Sequence, residues 1–252
     1  TGHDLGQYRG TGYGQLCQYR KADGTDQTWA GVDDWRPAGE YRDKAEELEP
    51  RAQASLYFYG VNPKNNTGNS RWDLYQNWQL EYKWQDGCAK NIKFWYEAGS
   101  REWFEFPIYR MAEFYLNIAE AYNEEGNPTM ALRYLNDIRR RGGIPDETQT
   151  DRVRLRQSIH REWAVEFYEE NQWYPHARHW KQGASMVGGA KYKFEFSQAA
   201  GVSWNPRKPE EFANYTRKPS YVPEYTWHER MSLSPFTLSE VNKGYLVQNP
   251  GY

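Results

Sequence analysis

The sequence of 252 residues predicts a mainly α-helical protein whose helix pairs are covered by a loop-rich, aromatic-rich region with short strands. Two consecutive segments within residues 106–145 carry apolar residues at three- and four-residue steps, which is the period of an amphipathic helix. The flanking regions contain many Gly, Pro and aromatic residues without a sustained period. Aromatic residues make up 17% of the chain, whereas all hydrophobic residues together reach only 38%. Such rings suit sugar or peptide surfaces as well as cores.

The first predicted helix covers residues 108–125 and ends at Gly126. Its apolar stripe is predicted at six positions: Met111, Phe114, Tyr115, Ile118, Ala119 and Tyr122. Asn127 offers a side-chain oxygen to the next helix and Pro128 fits its first position, so the chain turns back at once. The second helix carries its apolar face on four residues: Ala131, Leu132, Leu135 and Ile138. This register is that of a tetratricopeptide-like helix pair, and a single pair needs neighbours to bury both its faces.

Charge and glycine mark the end of the second helix. Arg139, Arg140 and Arg141 place positive charge at the negative end of its dipole. Gly142 and Gly143 permit a left-handed cap. These signals predict a helix end with exposed basic residues.

A third helix is predicted over residues 153–170. Asp151 caps it, and Asn171 can end it in the left-handed conformation. Four apolar residues repeat every four positions and should lie against the helix pair: Leu155, Ile159, Trp163 and Phe167. One or two more helical turns are expected within residues 172–183.

Three regions follow from this pattern. Residues 1–106 are predicted to be an aromatic-rich ligand-binding region of loops and short strands, and residues 107–182 hold the helix pair and the helix after it. Residues 183–252 are rich in Pro and aromatic residues and are predicted to wrap the helices.

The first region offers three strand signals. Residues 15–19 and 52–59 are predicted strands, and residues 92–96 and 102–106 alternate in a way typical of a hairpin. These short strands are expected to support the loops between them.

Segment 28–42 contains Trp29, Trp35 and Tyr41 among Gly, Asp and Pro, a composition typical of turns that hold rings near the surface. Such rings either cover the helices from outside or contact a ligand. The sequence leaves both alternatives open.

The strongest binding signal lies in residues 71–84, where aromatic residues recur at three-residue spacing among polar ones. Rings stack on the C–H faces of sugars, while amides, carboxylates and guanidinium groups bond the hydroxyls. The alternative is an aromatic stripe that belongs to the core. The predicted ligand-binding residues are Trp29, Trp35, Trp72, Tyr75, Trp78, Arg71, Asp73 and Asn77.

Catalytic and metal signals are weak. Asp33 and Asp34, or two of three glutamates within residues 46–49, could form the acid and base of a glycosidase, but acidic clusters are usually solvated faces. His176 and His179 have the spacing of a metal pair, yet no third ligand is evident, and the alternative is partly exposed, hydrogen-bonded rings. We therefore predict no catalytic residue, no metal and no cofactor.

Composition excludes several other classes. The net charge of −2 argues against a nucleic-acid partner. No apolar run approaches the roughly 20 residues that span a bilayer, and the first residues contain no signal peptide, so either the protein is cytoplasmic or the chain lacks its beginning. Cys17 and Cys88 fit one disulfide or two free thiols equally well.

Three stretches carry a family pattern: FPIYRMAEFYLNIAEAYNEEG; LNDIRRRGGIP followed by LRQSIHREWAVEFYEENQWYPHARHWKQ; and LSPFTLSEVNKGYLVQNPGY. In this order they resemble the SusD/RagB family, the surface-exposed nutrient-binding lipoproteins of Bacteroidota. Matches to recurrent family positions are Arg161, Glu162, Glu166, Arg178 and Trp180. Residues 49–51, Glu-Pro-Arg, correspond to the family's Asp-Pro-Arg. The chain departs from the pattern at Asn171, where Gly is common, and at residues 176–177, where Asp-Leu is expected.

The resemblance implies a non-catalytic protein of the cell outer membrane that binds an oligosaccharide and delivers it to a SusC-like TonB-dependent transporter. It covers the C-terminal part of a family member, so the N-terminal lipid anchor expected of the family is not present in this chain. Two alternatives remain: a peptide ligand, as in the RagB branch, and an intracellular tetratricopeptide adaptor, which belongs to a different class.

Overall fold

The computed structural model describes residues 10–61, 87–93, 106–186, 191–203, 205, 211–220 and 226–252. The elements before the predicted helix pair are β1 (Gly10–Thr11), α1 (Tyr13–Leu16), β2 (Arg36–Pro37), α2 (Ala38–Glu46), α3 (Pro50–Ser55), β3 (Leu56–Tyr57) and β4 (Ala89–Asn91). The helical part contains α4 (Met111–Glu124), α5 (Pro128–Arg141), α6 (Arg152–Glu166), α7 (Trp173–His179) and α8 (Gly183–Met186). The last elements are β5 (Tyr192–Ser197), β6 (Asn214–Pro219), a 3-10 helix (Glu229–Ser232) and α9 (Leu238–Val241).

The predicted helices form, and their capping residues act as expected. The Asn127 side chain accepts a hydrogen bond from the Met130 backbone N at 3.2 Å, and the Asp151 side chain accepts one from Arg154 N at 3.0 Å. The third helix ends at Glu166, four residues before the predicted end, and Glu169 and Asn171 both have a left-handed φ, 60° and 62°, in the turn after it. The four-residue stripe of α6 is buried against α4 and α5. Local capping rules therefore confirm this part of the prediction.

The buried face of α4 differs from the predicted stripe. Met111 and Phe114 are 65% and 51% exposed, and Ile118 is also exposed. The buried residues are Ala112, Leu116, Ala119 and Asn123. Apolar residues occupy most of the circumference of α4, so their spacing could not reveal which side meets α5 and α6. Small alanines take the contact side because they allow the helices to approach closely.

The region before the helices contains more helix than predicted. Residues 13–16 form α1, where a strand was expected over residues 15–19. Residues 50–55 form α3 and only Leu56 and Tyr57 form a strand, because Pro50 at the first turn favours a helix start. The aromatic stripe of residues 71–84 lies outside the described residues, as does most of the predicted hairpin over residues 92–106.

Besides the core between α4, α5 and α6, a second core is built from aromatic rings around Tyr41. The prediction that Tyr41 stays near the surface is wrong: it is fully buried, because α2 places it on one face with Ala38 and Ala45. Its ring lies 5.8 Å from that of Phe194 and 5.4 Å from that of Tyr215. This core joins α2 to strands from the far end of the chain.

Two three-stranded antiparallel sheets complete the fold, with the strand orders β1-β4-β3 and β2-β6-β5. The second sheet was missed by the sequence analysis, which predicted only loops after residue 183. In it Phe194 lies opposite Arg217, and Phe196 lies opposite Tyr215. Opposite residues of an antiparallel pair share a face, so this register places Arg217 on the side of the aromatic core.

The C-terminal motif closes on itself. The Gln248 side chain accepts from Phe236 N at 2.9 Å and donates to Phe236 O at 3.0 Å. The Asn249 side chain donates to Ser234 O at 2.5 Å. Arg178 on α7 donates to Ser232 O at 3.2 Å and so ties this segment to the helices. Across the part of the chain that the structure describes, no helix is long and apolar enough to cross a membrane.

Candidate functional site

The family motifs meet in a buried charge centre. Arg51 donates to Glu49 at 2.8 Å, contacts Glu166 at 3.3 Å and forms a short contact with Glu162. Arg110 bonds Glu166 at 2.5 Å. The matched residues from distant parts of the sequence therefore form a network that fastens α6 to α3 and to the start of α4.

Two glycines make room for this centre. A Cβ on Gly142 would lie 2.7 Å from Arg51 Nε, and a Cβ on Gly143 would lie 3.0 Å from the Pro50 ring. Gly143 also has a left-handed φ of 75°. Glycine therefore occupies positions 142 and 143 because segment 49–51 packs too closely there for a larger side chain.

The three arginines lie in the last turn of α5, as predicted, but they are not equivalent. Arg139 is buried, donates to Pro145 O at 2.9 Å and lies 3.6 Å from Glu162. Arg140 and Arg141 are 59% and 58% exposed, and Arg141 pairs with the buried Glu166. Tertiary contacts therefore bring two of the three arginines to the buried carboxylates.

Electrostatics indicate that the charge centre is structural. Burial by itself would raise the pKa of Glu166, but hydrogen bonds from Arg110 and Arg141 lower it to about 2. Burial raises the pKa of Glu162 despite the opposing effect of Arg51. Each of these carboxylates already pairs with an arginine. This indicates that the charge centre holds the helices together rather than binding a ligand.

His176 lies in an aromatic stack, and His179 is 67% exposed beside it. Their ring centroids are 6.3 Å apart, and His176 lies 4.0 Å from Trp163. His160 stacks on Trp180 at 3.6 Å. Among the described residues, no group of three or more His, Cys, Asp or Glu side chains is arranged to hold a metal ion.

This stack predicts acid sensitivity. Burial lowers the pKa of His160 and of His176 from 6.5 to about 4. The unfolded chain therefore takes up protons as the pH falls through 6.5, whereas the folded chain does not until about pH 4. We expect the free energy of unfolding to fall over this window by about 1 kcal/mol per ring, a value reduced because solvent screens partly exposed rings.

Urea unfolding at several pH values checks this expectation. Replacing His160 and His176 together by Gln should flatten the pH dependence between these pKa values. His228 is exposed, and its replacement by Gln is the control that should leave the dependence unchanged. A double variant as acid-sensitive as the parent would contradict the assignment.

Three of the carboxylates considered for acid–base chemistry are engaged in ion pairs. Asp34 accepts from Arg36 Nε at 2.9 Å, and Asp33 pairs with Lys218. Glu49 belongs to the charge centre. Cys17 and Cys88 are free thiols, and burial raises the pKa of both, so they stay protonated near neutral pH.

The predicted ligand-binding residues are only partly described. Trp35 is 45% exposed on the loop before β2. Trp29 is half-buried, with its ring 5.6 Å from Phe194 and 5.8 Å from Tyr41. The other six, Arg71, Trp72, Asp73, Tyr75, Asn77 and Trp78, lie outside the described residues.

Three further residues lie near Phe194: Tyr13 packs on its ring, Arg217 lies opposite it in the β5–β6 ladder, and Tyr192 contacts Arg217. We name the five together the Arg217 cluster: Tyr13, Trp29, Tyr192, Phe194 and Arg217. The Tyr13 ring lies 5.9 Å from that of Phe194. The guanidinium carbon of Arg217 lies 4.5 Å from the centre of Tyr13 and 5.4 Å from that of Tyr192. Apart from Phe194, all members are half-buried, so the cluster combines an accessible surface with an apolar base.

Backbone bonds fix the cluster in place. Arg217 N donates to Gly31 O at 3.2 Å, and Asp33 N donates to Arg217 O at 3.2 Å. These bonds attach the loop that carries Trp29 and Trp35 to strand β6. These bonds hold the Trp29 ring close to Arg217 on β6.

The cluster holds donors without acceptors. Arg217 Nε and Trp29 Nε1 are buried and have no hydrogen-bond partner among the described residues. Burial, followed by the neighbouring Cys17, raises the pKa of Tyr13 to about 12, so its hydroxyl stays neutral. The half-buried rings and the guanidinium group of Arg217 are the parts of the cluster that can stack on a ligand or bond it.

Sequence reasoning missed Tyr13, Tyr192 and Arg217. Two short alternating segments, YKFEFS and NYTRKP, contain the signal for the β5–β6 pair. A hairpin-like pairing of these segments would have placed Tyr192 and Arg217 on the face of Phe194.

The sequence profile of the SusD family matches residues 10–252. The fold defines a helix-pair protein with an aromatic-rich surface, and the chain belongs to the SusD family. No curated protein matches the chain.

Solved structures confirm the predicted fold class. A SusD-like protein from Bacteroides fragilis shares 26% identity and a TM-score of 0.70, over 96% of this chain and 47% of that protein. A SusD-like carbohydrate binding protein from the same organism shares the fold at 16% identity, with a TM-score of 0.54, over 84% of this chain and 44% of that protein. The chain spans about half the length of these structures.

Proposed function

We propose that this chain binds an oligosaccharide without catalysing its breakdown. The observation that carries the proposal is the Arg217 cluster, where half-buried rings and a half-buried guanidinium group lie together. Rings of this kind stack on sugar C–H faces, and guanidinium and indole N–H groups bond hydroxyls. Membership of the SusD family supports this proposal, as does the description of one structural relative as a carbohydrate binding protein.

The binding surface extends along the same loop and beyond it. Trp35 is exposed next to the strand that pairs with β6. The residues predicted from the 71–84 stripe join it in this proposal: Arg71, Trp72, Asp73, Tyr75, Asn77 and Trp78. A surface with several rings fits an extended chain of sugars better than a single one.

The proposed setting is the cell outer membrane, with the ligand passed to a SusC-like TonB-dependent transporter. Attachment by an N-terminal lipid anchor belongs to the same proposal. A peptide ligand is the alternative, because tyrosine, tryptophan and arginine also bind peptides. The ion-paired carboxylates of Asp33, Asp34 and Glu49 favour binding over hydrolysis.

Ring removal tests the proposal. We expect Tyr192→Ala, and Trp72→Ala combined with Trp78→Ala, each to weaken oligosaccharide binding by more than about 1 kcal/mol, because each removes stacking surface. Calorimetric titration of the whole protein with the oligosaccharide that it binds most tightly measures this change in affinity. Trp173→Ala removes an exposed tryptophan from α7 and is the matched control. Unchanged affinity in both ring variants would refute the assignment.

A further inference from the structure

We infer that the oligosaccharide bound at the Arg217 cluster is acidic and that its carboxylate pairs with Arg217. This inference rests on the proposed function and adds the chemical class of the ligand. It follows from the position of this arginine, whose half-buried guanidinium group lies against the rings of Tyr13 and Tyr192.

Several other buried or half-buried arginines have carboxylate partners, whereas Arg178 donates to Ser232 O and to the Ser234 hydroxyl. Arg51 pairs with Glu49 and Glu162, Arg110 with Glu170, and Arg161 with Asp26 at 2.5 Å. Arg217, in contrast, faces the rings of Tyr13 and Tyr192. Within the described part of the chain it makes no ion pair. A half-buried cation of this kind leaves its charge available to a ligand.

Nearby carboxylates do not supply the missing partner. Asp33 follows Gly31 on the loop beside Arg217 but pairs with Lys218, and Asp34 pairs with Arg36 at 2.9 Å. Glu195 lies opposite Thr216 in the β5–β6 ladder. Alternation along the strand places it on the face away from Arg217. The acidic groups close in sequence are therefore occupied or turned away.

A guanidinium group is well suited to recognise a carboxylate. Arg217 is half-buried, and guanidinium groups bind carboxylates through two parallel N–H···O bonds. A hydroxyl group of a neutral sugar accepts such a bond without adding a negative charge of its own. A uronic acid offers both a carboxylate and a flat C–H face for Tyr13 and Tyr192.

The direct test compares a saccharide with and without its charge. Short oligogalacturonides and the same oligosaccharides after carboxyl reduction differ only in the acid group. We expect the whole protein to bind the acidic form at least about tenfold more tightly. We expect this preference to shrink as sodium chloride is added, because salt screens partly exposed charges.

Variants of Arg217 test whether this residue causes the preference for the acidic form. Arg217→Met should abolish the preference, and Arg217→Lys should lose most of it, because a lysine retains the charge but not the paired donors. Arg133 is exposed on α5, and Arg133→Gln is the control that should keep the preference. Thermal unfolding of each variant establishes that it is folded.

The outcomes separate the inference from the function on which it rests. Equal or tighter binding of the reduced, neutral form would overturn the inference and leave oligosaccharide binding intact. A preference that survives Arg217→Met would also overturn it. Absence of binding to any saccharide, or binding only to peptides with a free carboxylate, would overturn the proposed function and the inference with it.

Discussion

Replacement of Arg51 by Met is expected to lower the free energy of unfolding by about 3–5 kcal/mol, because it leaves buried carboxylates without their cation. Arg51 bonds Glu49 at 2.8 Å and reaches both Glu162 and Glu166 on α6. All three glutamates are buried. Methionine fills similar space but cannot donate a hydrogen bond, so the loss reports the charge centre rather than a cavity.

Urea unfolding measures this loss, and an exposed arginine provides the control. Arg140 is 59% exposed and pairs with Asp137 and Asp146 on the surface. Arg140→Met should cost no more than about 1 kcal/mol, since solvent screens such pairs. Similar losses in both variants would mean that the charge centre does not fasten the helices.

Replacement of Tyr41 by Ala is expected to lower the free energy of unfolding by about 3–5 kcal/mol through loss of the ring and creation of a cavity. The ring lies within 5.1 Å of Phe196 and 5.8 Å of Trp29, and its hydroxyl donates to Cys88 O at 2.8 Å. Tyr41→Phe keeps the ring and should cost about 1–3 kcal/mol, because Cys88 O loses its donor.

Trp35 is the matched control for Tyr41, because both lie in segment 28–42 and both were predicted to lie near the surface. Trp35→Ala should change the free energy of unfolding by no more than about 0.5 kcal/mol. We expect the loss in free energy of unfolding to be largest for Tyr41→Ala, smaller for Tyr41→Phe and smallest for Trp35→Ala. A loss for Trp35→Ala as large as that for Tyr41→Ala would contradict the described core.

The helices were predictable because their signals are local. Asn127 and Asp151 accept bonds from backbone groups three residues away, so the sequence nearby contains the whole cause. Strands β2 and β6 pair residues as distant as Arg36 and Tyr215, and no local pattern reports such a partner. The same limit hid the burial of Arg139, whose helix-end position would otherwise leave it exposed.

The sequence predicted which types of residue form the candidate site, but not which individual residues belong to it. Aromatic excess indicated ring stacking, and Trp29 and Trp35 were named from it. Whether a ring in a turn-rich segment is buried depends on the helix it joins, as Tyr41 on α2 illustrates. Arg217 could be recognised only once Phe194 and Gly31 were placed beside it.

One titration tests the central claim most directly. The whole protein is titrated with a panel of oligosaccharides and peptides while tryptophan fluorescence is recorded, and each mixture is then analysed for reaction products. The account predicts saturable binding of an oligosaccharide that is recovered intact. Release of cleavage products would contradict non-catalytic binding, and saturation by peptides alone would contradict a saccharide ligand.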